Sequence, residues 1–198
     1  MSLRSRDVSS LIIDALCDWA VGRNASVACF YIDFAAPKEH SPTTILSSLL
    51  RQIVCGLEEV PPKIVRAYRN QGGTGGLRLG LSQVLEMLQD ISSSRHIFIC
   101  IDALDECMAQ YRTKLLHSLE QGLQMSPGIR IFLAGRAHVR DEVEKHLAGS
   151  AVAVSITPTK SDIIRFPRAK LKEDITSDAM DKGLEEIIKS IPDTVSEM

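Results

Sequence analysis

Two aspartates and a glutamate at the end of an apolar run are the residues of this chain best placed to do chemistry. The run Ile97-Phe-Ile-Cys-Ile-Asp-Ala-Leu-Asp-Glu-Cys107 carries five apolar residues straight into Asp102, then Asp105 and Glu106. Such a segment reads as a buried strand that delivers carboxylates to a loop. In an open α/β sheet the carboxyl ends of parallel strands border the ligand crevice. An acid there can hold Mg²⁺ directly or through water, and a second acid can orient an attacking water. Asp102 is thus the candidate metal ligand, and Asp105 and Glu106 are the candidate catalytic acids. The pattern is the Walker B half of a phosphate-handling site. The other half, G-x-x-x-x-G-K-[ST], supplies the backbone amides and the Lys that grip phosphate, and it is absent from the sequence.

The same residues have a structural reading: a strand-end acid, followed by two acids at the start of the next helix that offset its positive end. Arg136, in Ala134-Gly-Arg136 after a third apolar strand, reaches the same sheet edge if the strands are parallel. There it would either sense a γ-phosphate or pair with Asp102 or Asp105 as an ion pair. If the site is vestigial, Asp102 and Asp105 should repel each other, and neutralising one should be harmless. His96, His117 and His138 are remote from one another in sequence and are read as non-catalytic. No Gly-x-Ser-x-Gly or His-Glu-x-x-His arrangement is present, so hydrolysis by a side-chain nucleophile or zinc has no support.

The one glycine cluster, Gln71-Gly-Gly-Thr-Gly-Gly76, follows no predicted strand, and Leu77-Arg78-Leu79 stands where Lys-Ser/Thr would be needed. It reads as a connector rather than a phosphate cradle.

Several elements must position the acids. Apolar residues recur at helical spacing from Val8 to Val21, with Gly22 as the stop. Ser26 to Ile32 is β-branched and aromatic, a strand leading into Asp33-Phe-Ala-Ala-Pro37. Ser41-Pro42 opens a helix through Ile53 to Gly56, with Ser as the cap and Pro in the first turn. A shorter helix follows Pro61-Pro62. Then come a helix over Leu81 to Ile91, the strand His96 to Ile101, a helix over Gln110 to Leu123 and a third strand, Ile129 to Ala134. A helix over Val139 to Leu147, a fourth strand, Ala151 to Ile156, and helices near 160–173 and 178–190 complete the reading. Strands separated by helices predict parallel crossovers in a doubly wound sheet.

Composition narrows the functional classes. With 198 residues and 44% hydrophobic content the chain can bury one core of ordinary size. A formal charge of −2, from 23 basic and 25 acidic side chains spread along the chain, offers no basic face to nucleic acid or anionic lipid. Cys17, Cys29, Cys55, Cys100 and Cys107 lie at irregular spacings without a C-x-x-C pair, which suits reduced core thiols and not zinc. Asp14 and Asp18 interrupt the first apolar stretch and no later run is long enough to span a membrane. These features lead to the expectation of a cytoplasmic or nuclear protein.

The order of Phe30-Tyr-Ile-Asp-Phe34, Ser41-Pro-x-x-Ile-Leu-x-Ser-Leu-Leu-Arg-Gln52, Ile99-Cys-Ile-Asp-Ala-Leu-Asp-Glu-Cys107, Ile131-Phe-Leu-Ala-Gly-Arg136 and Ser161-Asp-Ile163 is more specific than any one motif. Together these segments resemble the NACHT-type, nephrocystin-like N-terminal ATPase domain abundant in fungal signal-transduction NTPases. The resemblance extends over about residues 8–195. It implies an ATP- or GTP-driven switch between a closed monomer and an open oligomer. Asp102 would then be the Mg²⁺-associated acid, Asp105 and Glu106 the acids that position water, and Arg136 the sensor Arg. In that family the first helix grows out of the Gly-Lys-Ser/Thr loop, whereas here Ser5-Arg6-Asp7 stands in that place. The strand preceding the loop, central in such sheets, is also missing. Pro167 interrupts Asp162 to Leu171, normally continuous helix, where a Pro beyond the first turn costs about 3 kcal/mol.

The expectation is therefore an α/β chain with an incomplete P-loop NTPase-like parallel sheet in three α/β/α layers, plus a short C-terminal helical extension. Residues 1–157 form the core and 158–198 the extension. Mg²⁺ with ATP or GTP belongs to the family, and none is expected to bind this chain alone. Protein partners or self-association are expected, and neither nucleic acid nor membrane. The alternative is a Mg²⁺-dependent ATPase or GTPase switch whose phosphate loop lies upstream of a misplaced start.

Overall fold

The computed structural model describes residues 5–36, 41–71 and 79–156. The chain divides into two compact units, Arg4–Ala153 and a second comprising Met1–Leu3 with Val154–Met198. The sheet belongs to the first. The helices expected near 160–173 and 178–190, the Pro167 interruption and all but the first residue of the glycine-rich connector lie outside the described residues.

Three strands, β1 (Ala25–Tyr31), β2 (His96–Asp102) and β3 (Ile129–Leu133), form one parallel sheet in the order β1-β2-β3. Cys29 pairs with Cys100 and Ile101 with Leu133. Helix α1 (Ser5–Ala20) precedes β1. Between β1 and β2 run α2 (Pro42–Cys55), α3 (Pro62–Gln71) and α4 (Leu81–Ser92), and α5 (Ala109–Met125) joins β2 to β3. The predicted helix after β3 begins as a 3₁₀ turn, Ala137–Val139, and becomes α6 only over Arg140–His146.

Strand alternation assigns the two sheet faces. Ile97, Ile99 and Ile101 are fully buried with Leu46, Leu49 and Ile53 of α2, Val84 and Leu88 of α4, and Leu115 and Leu119 of α5. Each such side chain contributes about 1.5–3 kcal/mol of burial free energy. The opposite face, carrying Phe98, Cys100 and Asp102, is met by α1. Trp19 packs edge-to-face on Phe98 with ring centroids 5.3 Å apart, and Ser9 reaches Asp102. The start of α1 therefore lies at the carboxyl ends of the strands, and the helix runs antiparallel to them.

Local chemistry fixes the joints. Ser41 caps α2, its Oγ accepting the Thr44 N–H at 3.2 Å, with Pro42 in the first turn and Gly56 after the last. A Cβ on Gly128 would lie 2.5 Å from the Ser92 carbonyl oxygen, so only glycine lets β3 start beside the end of α4. On the outer edge of β1 the Gln52 amide accepts the Cys29 N–H at 3.0 Å and donates to the Cys29 carbonyl at 2.8 Å. A side chain of α2 thus takes the place of a neighbouring strand.

Two expectations are corrected here. Ala151 to Ile156 forms no strand, and Val152, Val154 and Ile156 are 92, 77 and 63% exposed. Its β-branched alternation supplies propensity, but strands gain stability only through cross-strand packing, and none is present among the described residues. Nor are the thiols uniformly core residues: Cys17 and Cys55 are exposed and Cys29 is half-buried. Cys100 and Cys107 are buried, and burial pushes their thiols up to about 12 and about 11.

Candidate functional site

The three acids and Arg136 meet at the carboxyl edge of the sheet. Asp102 ends β2 and is 2% exposed. Its Oδ1 accepts the Ser9 hydroxyl at 2.9 Å and the Ala103 N–H at 2.8 Å. Ala103 has φ +56°, the only positive value at a non-glycine among the described residues, and this left-handed conformation costs about 1–2 kcal/mol. It turns the chain sharply out of β2 into a 3₁₀ turn, Leu104–Glu106, held by the Leu104 N–H on the Ala134 carbonyl at 2.9 Å.

That turn corrects the expectation that Asp105 and Glu106 open the next helix. Helix α5 starts only at Ala109 and has no acid in its first turn. The two carboxylates serve the neighbouring loops instead. Asp105, with a side chain 7% exposed, places Oδ2 3.3 Å from Arg136 Nε, and its Oδ1 accepts the Arg136 backbone N–H at 3.2 Å. The approach is close enough that a Cβ on Gly135 would sit 3.4 Å from both the amide N and Oδ1 of Asp105, and 3.2 Å from Val139 Cγ2. Arg136 is thus paired with Asp105, one of the two acids named for it from the sequence. Glu106 Oε2 accepts the Phe34 N–H at 3.1 Å, joining the turn after β2 to the loop after β1.

The acids therefore share one edge, as their spacing predicted, but each carboxylate is engaged with the chain itself. Among the described residues no group of three or more His, Cys, Asp or Glu is arranged to hold a metal ion. Sequence reasoning missed Ser9. Its signal was a hydroxyl within the buried stripe of α1, where Ser9 is 1% and Ile13 7% exposed, since a buried hydroxyl calls for a partner. The Phe34 amide carried no signal, being backbone.

Residues 8–136 match the family of nephrocystin 3, N-terminal. The match takes in the whole sheet, the acidic turn and, as its last residue, Arg136. The chain belongs to this family. No curated protein matches it. Among solved structures, the Walker-type ATPase of Pyrococcus abyssi is similar with a TM-score of 0.47 at 12% identity, covering 89% of this chain and 61% of that one. The chain thus spans about three fifths of that protein's length. No helix among the described residues is long and apolar enough to cross a membrane.

Proposed function

We propose that this chain is a degenerate NACHT-like signal-transduction module that acts through protein contacts and does not hydrolyse ATP or GTP on its own. The observation that carries this reading is the commitment of all three carboxylates: Asp102 to Ser9 and Ala103, Asp105 to Arg136, Glu106 to Phe34. Triphosphate is gripped mainly by a loop of backbone amides and a Lys, and carboxylates alone repel it. With neither loop nor Lys in the sequence, the acidic turn serves as a brace between the ends of β1, β2 and β3. A cytoplasmic setting fits this role.

The second reading, a Mg²⁺-dependent ATPase or GTPase switch completed by an upstream phosphate loop, draws on the left-handed Ala103 beside Asp102, because strained backbone gathers at functional sites. In it Asp102 would hold Mg²⁺, which neutralises phosphate charge, Asp105 and Glu106 would position water, and Arg136 would face the γ-phosphate. Calorimetric titration of the chain with MgATP and MgGTP separates the two. The contact-module reading expects no saturable heat. A micromolar dissociation constant abolished by Asp102→Asn would overturn it.

A further inference from the structure

Three of the five cysteines stand together on the face of the sheet that α1 covers. Cys29 and Cys100 are directly opposite each other on β1 and β2, and neighbouring strands lie about 4.8 Å apart. Cys17 is supplied by α1. On the same helix Ser10 hydrogen-bonds to Tyr31. Cys17 follows Ser10 by two turns, hence on the same side of α1, and Cys29 precedes Tyr31 by one strand repeat, hence on the same face of β1. Because α1 runs antiparallel to the strands, Cys17 over Cys29 is the next pair along the seam that Ser10 and Tyr31 begin. The helix rises about 10.5 Å over that step and the strand about 6.6 Å, a difference of about 4 Å that lies within the reach of a Tyr side chain. The three thiols differ in access: Cys17 is exposed, Cys29 half-buried and Cys100 buried. Burial, and after it the neighbouring Cys17, pushes the Cys29 thiol up. Cys100 is pushed up to about 12, by burial first and then by the other two. Thiolates react and thiols do not, so Cys100 is the inert member. An accessible cysteine beside a second thiol able to resolve it is the arrangement of an oxidation site.

We propose that Cys17 and Cys29 are a reversible oxidation site, whose two thiols a hydroperoxide converts into a disulfide that staples α1 to β1. In the first step the Cys17 sulfur, as thiolate, attacks one oxygen of the peroxide. The O–O bond breaks, its electron pair leaves with the other oxygen, and the proton lost by the thiol completes water or an alcohol. Cys17 is then a sulfenic acid, oxidised by two electrons. In the second step the Cys29 sulfur attacks the Cys17 sulfur. An S–S bond forms, the S–O bond breaks, and the departing hydroxide takes the Cys29 proton as water. The first step eases the second, because a neutral sulfenic acid no longer carries the Cys17 charge that opposes ionisation of Cys29. A thiol reductant reverses the link by exchange. The staple acts on the helix whose Ser9 donates to Asp102, so it also holds that donor against the end of β2. It does not depend on whether the module binds nucleotide or makes protein contacts.

Treating the full chain with one equivalent of hydrogen peroxide should lower its intact mass by two hydrogens and remove two of its five thiols. Arg23 lies between the two cysteines, so trypsin should release the Cys17 and Cys29 peptides joined, and dithiothreitol should part them. Cys55→Ser, which removes the other exposed thiol, should form the same link, whereas Cys17→Ser and Cys29→Ser should not. If Cys29→Ser loses its fold, the peptide map of the wild type decides alone. A disulfide across so short a loop should raise the melting midpoint of the oxidised chain by about 6–12 °C over the reduced one. A chain that keeps all its thiols overturns the proposal, as does oxidation that stops at oxygen added to Cys17. So does a disulfide between any other pair of thiols, within one chain or between two, or a Cys17–Cys29 link that leaves the midpoint unchanged or lower.

Discussion

Ser9 Oγ lies 2.9 Å from Asp102 Oδ1, a buried hydrogen bond that spans 93 positions in sequence and ties the first described helix to the end of the central strand. Together with the edge-to-face packing of Trp19 on Phe98, it aligns α1 along β2. Removing the hydroxyl deprives a carboxylate that is 2% exposed of one of its donors. Hydrogen bonds to charged groups contribute about 1.5–3 kcal/mol, so Ser9→Ala should lower unfolding stability by about that amount with an unchanged denaturant slope. Urea denaturation checks it, and a loss below about 0.5 kcal/mol would mean that the bond has little net energetic weight.

Asp105 and Arg136 are unequal partners, the acid's side chain being 7% exposed and the Arg's 76%. Exposed ion pairs contribute about 0–1 kcal/mol, so Arg136→Gln should leave stability within about 0.5 kcal/mol of wild type. Asp105→Ala also removes the acceptor of the Arg136 backbone N–H and loosens the packed Gly135 turn, and should cost about 1–3 kcal/mol. Thermal melts of the two variants test the asymmetry. Equal losses would assign the energy to the charge pair and not to the backbone contact.

What the sequence made legible follows from how local each signal is. The Ser41-Pro42 cap and the Gly56 stop bound α2 where expected, because capping is decided within one turn. Ile97 to Ile101 declared itself a buried strand, and the placement of Asp102, Asp105, Glu106 and Arg136 at one edge followed from parallel crossovers. The partners of these acids did not follow. Ser9 and Phe34 meet Asp102 and Glu106 only after α1 and β1 have packed, and nothing adjacent in sequence announces those meetings. Ala151 to Ile156 misled for the converse reason: its alternation is a local property, whereas a strand requires a neighbour. The Gln52 plug on β1 was invisible too, since an amide on a helix carries no mark of the edge it will cover.

Glu142 gives the fold a pH dependence whose sign can be stated. Its Oε1 accepts Thr113 Oγ1 at 2.7 Å and its Oε2 accepts Arg112 Nε at 2.7 Å, while Arg112 also donates to the Cys107 carbonyl at 2.9 Å. This clamp fixes α6 to α5. Burial alone would raise the Glu142 carboxyl, but the hydrogen bonds from Thr113 and Arg112 and the Arg112 charge outweigh it, and the group is held below its ordinary value of 4.5. A carboxyl depressed in the folded state contributes stability that is fully present above its unfolded value and is lost as pH falls through the folded one. The clamp should therefore hold from neutrality down to about pH 4.5 and weaken below it. Glu142→Gln cannot ionise, so the stability gap between wild type and variant should be constant from pH 7 to pH 5 and should narrow under more acid conditions. Urea midpoints across that range measure the gap, and one that stays constant through pH 3 would show that the depressed carboxyl is not what couples α6 to acid.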